Sequence, residues 1–74
     1  MIVTFAALNF QIGLTVNFKV YRLDGSLYSS TSGVEIESTG VYYADIDIGK
    51  LRDCICIAED SQQTWKAFKQ IGKG

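Results

Sequence analysis

Apolar and polar residues alternate with a period of two along most of this chain. The clearest instance is residues 14–25, LTVNFKVYRLDG, where Leu14, Val16, Phe18 and Val20 fall on one face and Thr15, Asn17, Lys19 and Tyr21 on the other. That is the period of a half-buried strand; a helix would scatter the same apolar residues around its cylinder. Asp24-Gly25 closes the stretch with a hairpin-turn signal. Before it, residues 2–10 (IVTFAALNF) predict a first strand with Val3, Phe5 and Ala7 on one face and Ile2, Ala6, Leu8 and Phe10 on the other. A strand that is apolar on both faces is either central in a sheet or covered on its second face by another chain. So short a chain favours the second arrangement. Gln11-Ile12-Gly13 then turns into the central stretch.

Beyond Gly25, residues 26–30 are expected to pair back as a hairpin arm carrying Leu27 and Tyr28, and SSTSG reads as a polar loop. Residues 34–37 (VEIE) predict a short strand, apolar in and acidic out, and Ser38-Thr39-Gly40 the next turn. Residues 41–48 predict a strand with Tyr42, Ala44, Ile46 and Ile48 inward and Val41, Tyr43, Asp45 and Asp47 on a wet outer face, since two carboxylates are costly to bury unpaired. Residues 54–58 (CICIA) read as a strand buried on both faces. In residues 64–71 two readings compete. Trp65, Phe68 and Ile71 make a helical stripe, whereas a strand puts Trp65, Ala67 and Ile71 on one face interrupted by Lys69. The residues alone leave that choice open. With no proline and about six or seven short strands delimited by turns, the pattern predicts an all-β fold: a single antiparallel β-sandwich domain over residues 1–74, immunoglobulin-like or partly closed into a barrel.

The length of 74 residues changes this picture by making the core marginal. A chain of this size buries only about 60% of its unfolded surface, so a disulfide, a metal or a partner usually contributes. Cys54 and Cys56, at i and i+2 of a strand, point to the same face without easy bridging geometry, and read as buried small thiols. Histidine is absent and C-x-C stands alone, so no metal or redox centre is indicated. A partner remains the expected source of extra stability. The apolar start of the chain is too short to span a bilayer and lacks the basic region of a signal peptide, which predicts a chain made and kept in the cytoplasm.

Charge and candidate chemistry narrow the functional classes. General acid–base catalysis near neutral pH is most often the work of histidine, and no serine, lysine or cysteine is flanked by a base and an oxyanion device. No catalytic residue, cofactor site or small-molecule substrate is expected. Asp45 and Asp47 share a strand face and, with Glu59 or Asp60, make a conceivable site for a hard cation such as calcium. A solvated face is the simpler reading because no EF-hand-like ligand loop is present. The interleaved Trp65, Lys66, Phe68 and Lys69, with Lys19, Tyr21 and Arg22, resemble a stacking platform for single-stranded nucleic acid. Against it stand the acidic middle of the chain and a net charge of −1, where a nucleic-acid binder is normally basic.

The order GLTVNFKVYRLDGSLY, GVEIESTGVYYADI, CICIAEDSQQTWKAFKQI is similar to that of small β-sandwich modules in virion proteins of tailed bacteriophages. There an LTVxFxVYxxDG strand precedes a G-V/I-Y-x-A strand, and an apolar strand ending in an acidic residue leads to an aromatic-containing last strand. Residues 14–25, 40–44 and 57–71 match that order. Ser61-Gln62-Gln63 replaces the glycine-rich turn of those modules, which leaves the geometry of the last hairpin undetermined. The resemblance implies strand for residues 64–71. It also implies a non-enzymatic structural role in a virion assembled in the host bacterial cytoplasm: foremost a capsid-associated cement or decoration protein, alternatively a tail, neck or baseplate component. A single-stranded nucleic-acid-binding barrel is the second alternative. On the structural reading the partners are other copies of the chain and/or capsid or tail proteins. The docking residues are Ile2, Val3, Phe5, Leu8, Phe10, Trp65 and Phe68, with residues 1–12 as an arm that packs on a neighbour or adds its edge to one.

Overall fold

The computed structural model describes residues 1–72. Seven strands form in chain order: β1 (Ile2–Ala6), β2 (Val16–Arg22), β3 (Leu27–Ser32), β4 (Val34–Glu35), β5 (Val41–Asp45), β6 (Asp53–Asp60) and β7 (Lys66–Gly72), with a 3₁₀ turn at Leu8–Phe10. They make two antiparallel sheets, one ordered β1-β5-β4 and the other β3-β2-β6-β7. The domain is all-β, as the alternation predicts. No helix among the described residues is long and apolar enough to cross a membrane.

The alternating positions explain why the sheets stack. β2 contributes Val16, Phe18 and Val20 to the interior and β6 contributes Cys54, Cys56 and Ala58, all buried. Facing them are Val3 and Phe5 from β1, Tyr42 and Ala44 from β5, and Ile46 and Ile48 just after β5. The Phe5 ring meets Phe18 edge-on at 5.4 Å and Trp65 at 6.4 Å, which ties the two layers through aromatic contacts. Burying these side chains from opposed faces is what makes a period-2 sequence stable as a sandwich.

Several expectations are corrected. The first strand ends at Ala6, because Asn9 and Phe10 adopt left-handed φ of 56° and 52° and turn the chain instead of extending it. The Ser/Thr run belongs largely to β3, whose Ser29, Ser30, Thr31 and Ser32 pair with β2. β4 is inverted relative to the expected orientation: Val34 is 53% exposed and Ile36 is exposed too, whereas Glu35 is half-buried. The reason lies in register. Glu35 is opposite Tyr42, whose ring enters the core, so both side chains point to the inner side of the sheet. There the Glu35 carboxylate accepts hydrogen bonds from Gly13 N–H and Gly40 N–H, both at 3.0 Å. Tyr42 Oη accepts from Leu14 N–H at 3.0 Å and donates to the Gln11 carbonyl at 2.9 Å. Glu35 and Tyr42 together fasten residues 11–14 to the sheet. Gly40 completes this corner: its φ of +75° and its close approach to the Phe10 backbone both exclude a Cβ.

Residues 64–71 resolve in favour of strand. Trp65, Ala67 and Ile71 are half-buried and pack on the core, and Lys66, Phe68 and Gln70 point outward. Strand β6 is buried on one face only: Ile55 and Ile57 stand half-exposed on the outer side.

Candidate interaction surfaces

Accessible apolar surface lies on the outer faces of the two sheets and on the 8–12 turn, where Leu8, Phe10 and Ile12 are exposed. On the three-stranded sheet the register aligns Thr4, Tyr43 and Val34 in one row, while Ala6, Val41 and Ile36 fall together in the next through the Ala6–Val41 pairing and the Ile36 N–H bond to the Val41 carbonyl. On the four-stranded sheet the rows are Ser30, Lys19, Ile57 and Phe68, and Leu27, Tyr21, Ile55 and Gln70. Between β6 and β7 lies an open hollow of about 290 Å³ lined by Ile55, Ile57, Lys66, Ala67 and Phe68. Phe68 is 70% exposed on its rim.

The expected docking residues divide. Ile2, Leu8, Phe10 and Phe68 are exposed. Val3 and Phe5 are not available for docking: they lie in the domain's own core at 7% and 6% exposure, because their face of β1 turns toward β2 and β6. Trp65 is half-buried against Phe5 and acts as an intramolecular anchor. The arm is therefore split by its own alternation, one side core and the other solvent.

The side of the sandwich between β1 and β7 is closed by Lys69. Its ammonium donates to the Thr4 carbonyl at 2.6 Å and sits 5.0 Å above the Phe5 ring centroid. Antiparallel pairing explains why that carbonyl is on offer. Met1–Ile46 and Ala7–Gly40 are hydrogen-bonded pairs, so Val3 and Phe5 bond β5, and Thr4 directs its backbone groups away from it.

The acidic residues mostly work as structural ligands. Glu59 pairs with Lys19 at 2.9 Å and lies 3.8 Å from Lys66. The hydrogen bond from Lys19 holds the Glu59 carboxyl below its ordinary pKa and raises that of Lys19 in turn. Asp60 is buried and organises the β6–β7 turn: Oδ2 accepts from the Thr64 hydroxyl at 2.7 Å, and Oδ1 from Trp65 N–H at 2.8 Å. The hydroxyl bond is the main cause of its lowered pKa. This carboxylate, with Gln63 at φ 59°, does what a glycine-rich turn would otherwise do. Asp24 caps the β2–β3 turn in the same way, its carboxyl lowered by Ser26. The sequence signal for both was an acid placed two to five residues before a turn donor.

Asp45 and Asp47 are exposed; Asp45 pairs with the Met1 ammonium at 2.8 Å and Asp47 accepts from Gly49 N–H at 2.9 Å. Among the described residues no three His, Cys, Asp or Glu side chains converge as a metal-binding group. Cys54 and Cys56 are both fully buried, and burial pushes the Cys56 thiol up to about 11. The basic and aromatic residues of the supposed stacking platform divide: Lys19, Tyr21, Lys66 and Phe68 share the outer face of the four-stranded sheet, whereas the other three lie off it. Trp65 and Lys69 serve the seam, Arg22 lies 5.0 Å over Tyr28, and Lys19 is neutralised by Glu59. No protein-family model, curated protein or solved structure matches the chain.

Proposed function

We propose that this chain is a non-enzymatic structural module that acts by docking its exposed apolar sheet surface on other proteins. The observation that carries the reading is the β6–β7 hollow with Phe68 standing 70% exposed at its rim, beside a Lys19 paired with Glu59 and a Lys69 bound to the Thr4 carbonyl. An aromatic side chain held in the open on a rigid strand contributes a large apolar area at small entropic cost when covered. The motif order of residues 14–25, 40–44 and 57–71 supports placing this docking in a tailed-phage virion, foremost as a capsid-associated cement or decoration protein. The test is co-sedimentation with purified tailed-phage heads and tails, alongside retardation of a single-stranded oligonucleotide at low and moderate salt. Comigration with heads is the expected result, and comigration with tails alone would move the module to the tail or neck. Retardation that falls steeply with salt would overturn the reading in favour of nucleic-acid binding.

A further inference from the structure

The domain has four sheet edges, and they differ. β4 is two residues long. β3 is polar and its pairing with β2 carries a register shift between Val20 and Tyr21, which twists that edge away from regular pairing. On β1 the Thr4 carbonyl is already occupied by Lys69. β7 alone is long, unbroken in register from Lys66 to Gly72, and flanked by exposed apolar surface.

Edge strands are commonly protected by lysine, and β7 contains two. Neither guards its outer edge. Lys69 is turned inward to Thr4, and Lys66 leans toward Glu59. The backbone is directed the other way. Asp60 N–H donates to the Trp65 carbonyl, which fixes Ala67, Lys69 and Ile71 as the residues bonded to β6. Lys66, Phe68 and Gln70 therefore send their N–H and C=O groups to the open edge, while their side chains stand on the outer face.

We propose that β7 joins two copies of this chain, pairing antiparallel about a two-fold axis through Phe68, so that the two four-stranded sheets run on as one. Charge and strand overlap together select the register; centred on Gln70, Lys66 would lose its strand partner. Centred on Phe68, Lys66 of each copy lies opposite Gln70 of the other, and Ala67 opposite Lys69. Centred on Lys69, the two Lys69 residues would stand opposite each other on the inner face, each already committed to its own Thr4 carbonyl, and bringing two like charges together there opposes pairing. Centred on Ala67, Gln70 would lose its strand partner. The Phe68-centred register makes three hydrogen-bonded residue pairs, sets the two Phe68 rings side by side, and continues the hollow of one copy into that of the other. The contact is isologous, so it closes at two copies. This inference rests on the docking role proposed for this surface and names a second copy as its occupant.

The test is sedimentation equilibrium of the full chain from micromolar to millimolar, with two outer-face variants whose folding is checked by circular dichroism. Wild type is expected to pass from monomer to dimer. Gln70→Glu places a carboxylate opposite Lys66 in two symmetry-related pairs and should lower the dissociation constant on the order of tenfold, and Gln70→Lys should raise it similarly. Monomer throughout, growth past dimer, or equal shifts for the two variants would overturn the proposal. A monomer that still co-sediments with phage particles would remove the second copy while leaving the docking role. A dimer that binds no particle would do the reverse.

Discussion

β1 and β7 border the same side of the sandwich, and each is the last strand of its sheet, yet one is capped at its centre and the other is not. β1 places Val3 and Phe5 in the core and has its Thr4 carbonyl capped by Lys69. β7 supplies that lysine, and the same alternation that turns Lys69 inward turns Lys66, Phe68 and Gln70 out. Apolar content does not separate the two strands. What separates them is that the central outward carbonyl of β1, that of Thr4, is capped within the domain, whereas no side chain caps the outward groups of Lys66, Phe68 and Gln70 among the described residues. A single long cation spanning the seam caps one outward carbonyl of β1 and is thereby not available to guard the edge of its own strand.

The largest effect on this contrast should come from Phe5→Ala. It removes a core ring that contacts Phe18, Trp65 and Lys69, and is expected to destabilise by about 3–5 kcal/mol in urea unfolding. Removing residues 1–10 is therefore expected to unfold the domain rather than merely release a docking arm. A smaller loss should follow acidification. Asp60 and Glu59 have carboxyl pKa values lowered by folding, so the unfolded chain binds protons more readily. Their stabilisation is present above the ordinary carboxyl range and disappears as pH falls through the lower folded-state values. Melting temperature should drop across that acidic window, and Asp60→Asn should flatten the decline. Lys69→Ala should cost about 1 kcal/mol through the lost cation–π contact and carbonyl bond. It should also make β1 a second pairing edge, seen as mass beyond dimer. Phe68→Ala should change monomer stability by less than about 0.5 kcal/mol, because the ring is exposed, yet weaken association.

Much of this architecture was legible in the alternation. Val16, Phe18 and Val20 on one face and Tyr42, Ala44, Ile46 and Ile48 on another identify both inner layers without ambiguity. Residues 8–10 were not legible, because Asn9 and Phe10 take left-handed conformations that ordinarily call for glycine. In VEIE the alternation is clear but its direction is not: hydrophobicity argues for Val34 and Ile36 inside, and only the two amides that meet Glu35 reverse it. The docking surface divides similarly. Phe68 is identifiable as an apolar residue on a strand flanked by lysines. Whether those lysines guard the edge depends on Thr4 and Glu59, which are close in space but remote in sequence.

The most direct test of the contrast between the two edges is amide hydrogen exchange read residue by residue at low and high protein concentration. The amides of Lys66, Phe68 and Gln70 should gain protection as concentration rises, while those of Ile2, Thr4 and Ala6 stay unchanged. Protection gained on β1 instead, or on neither strand, would contradict the account.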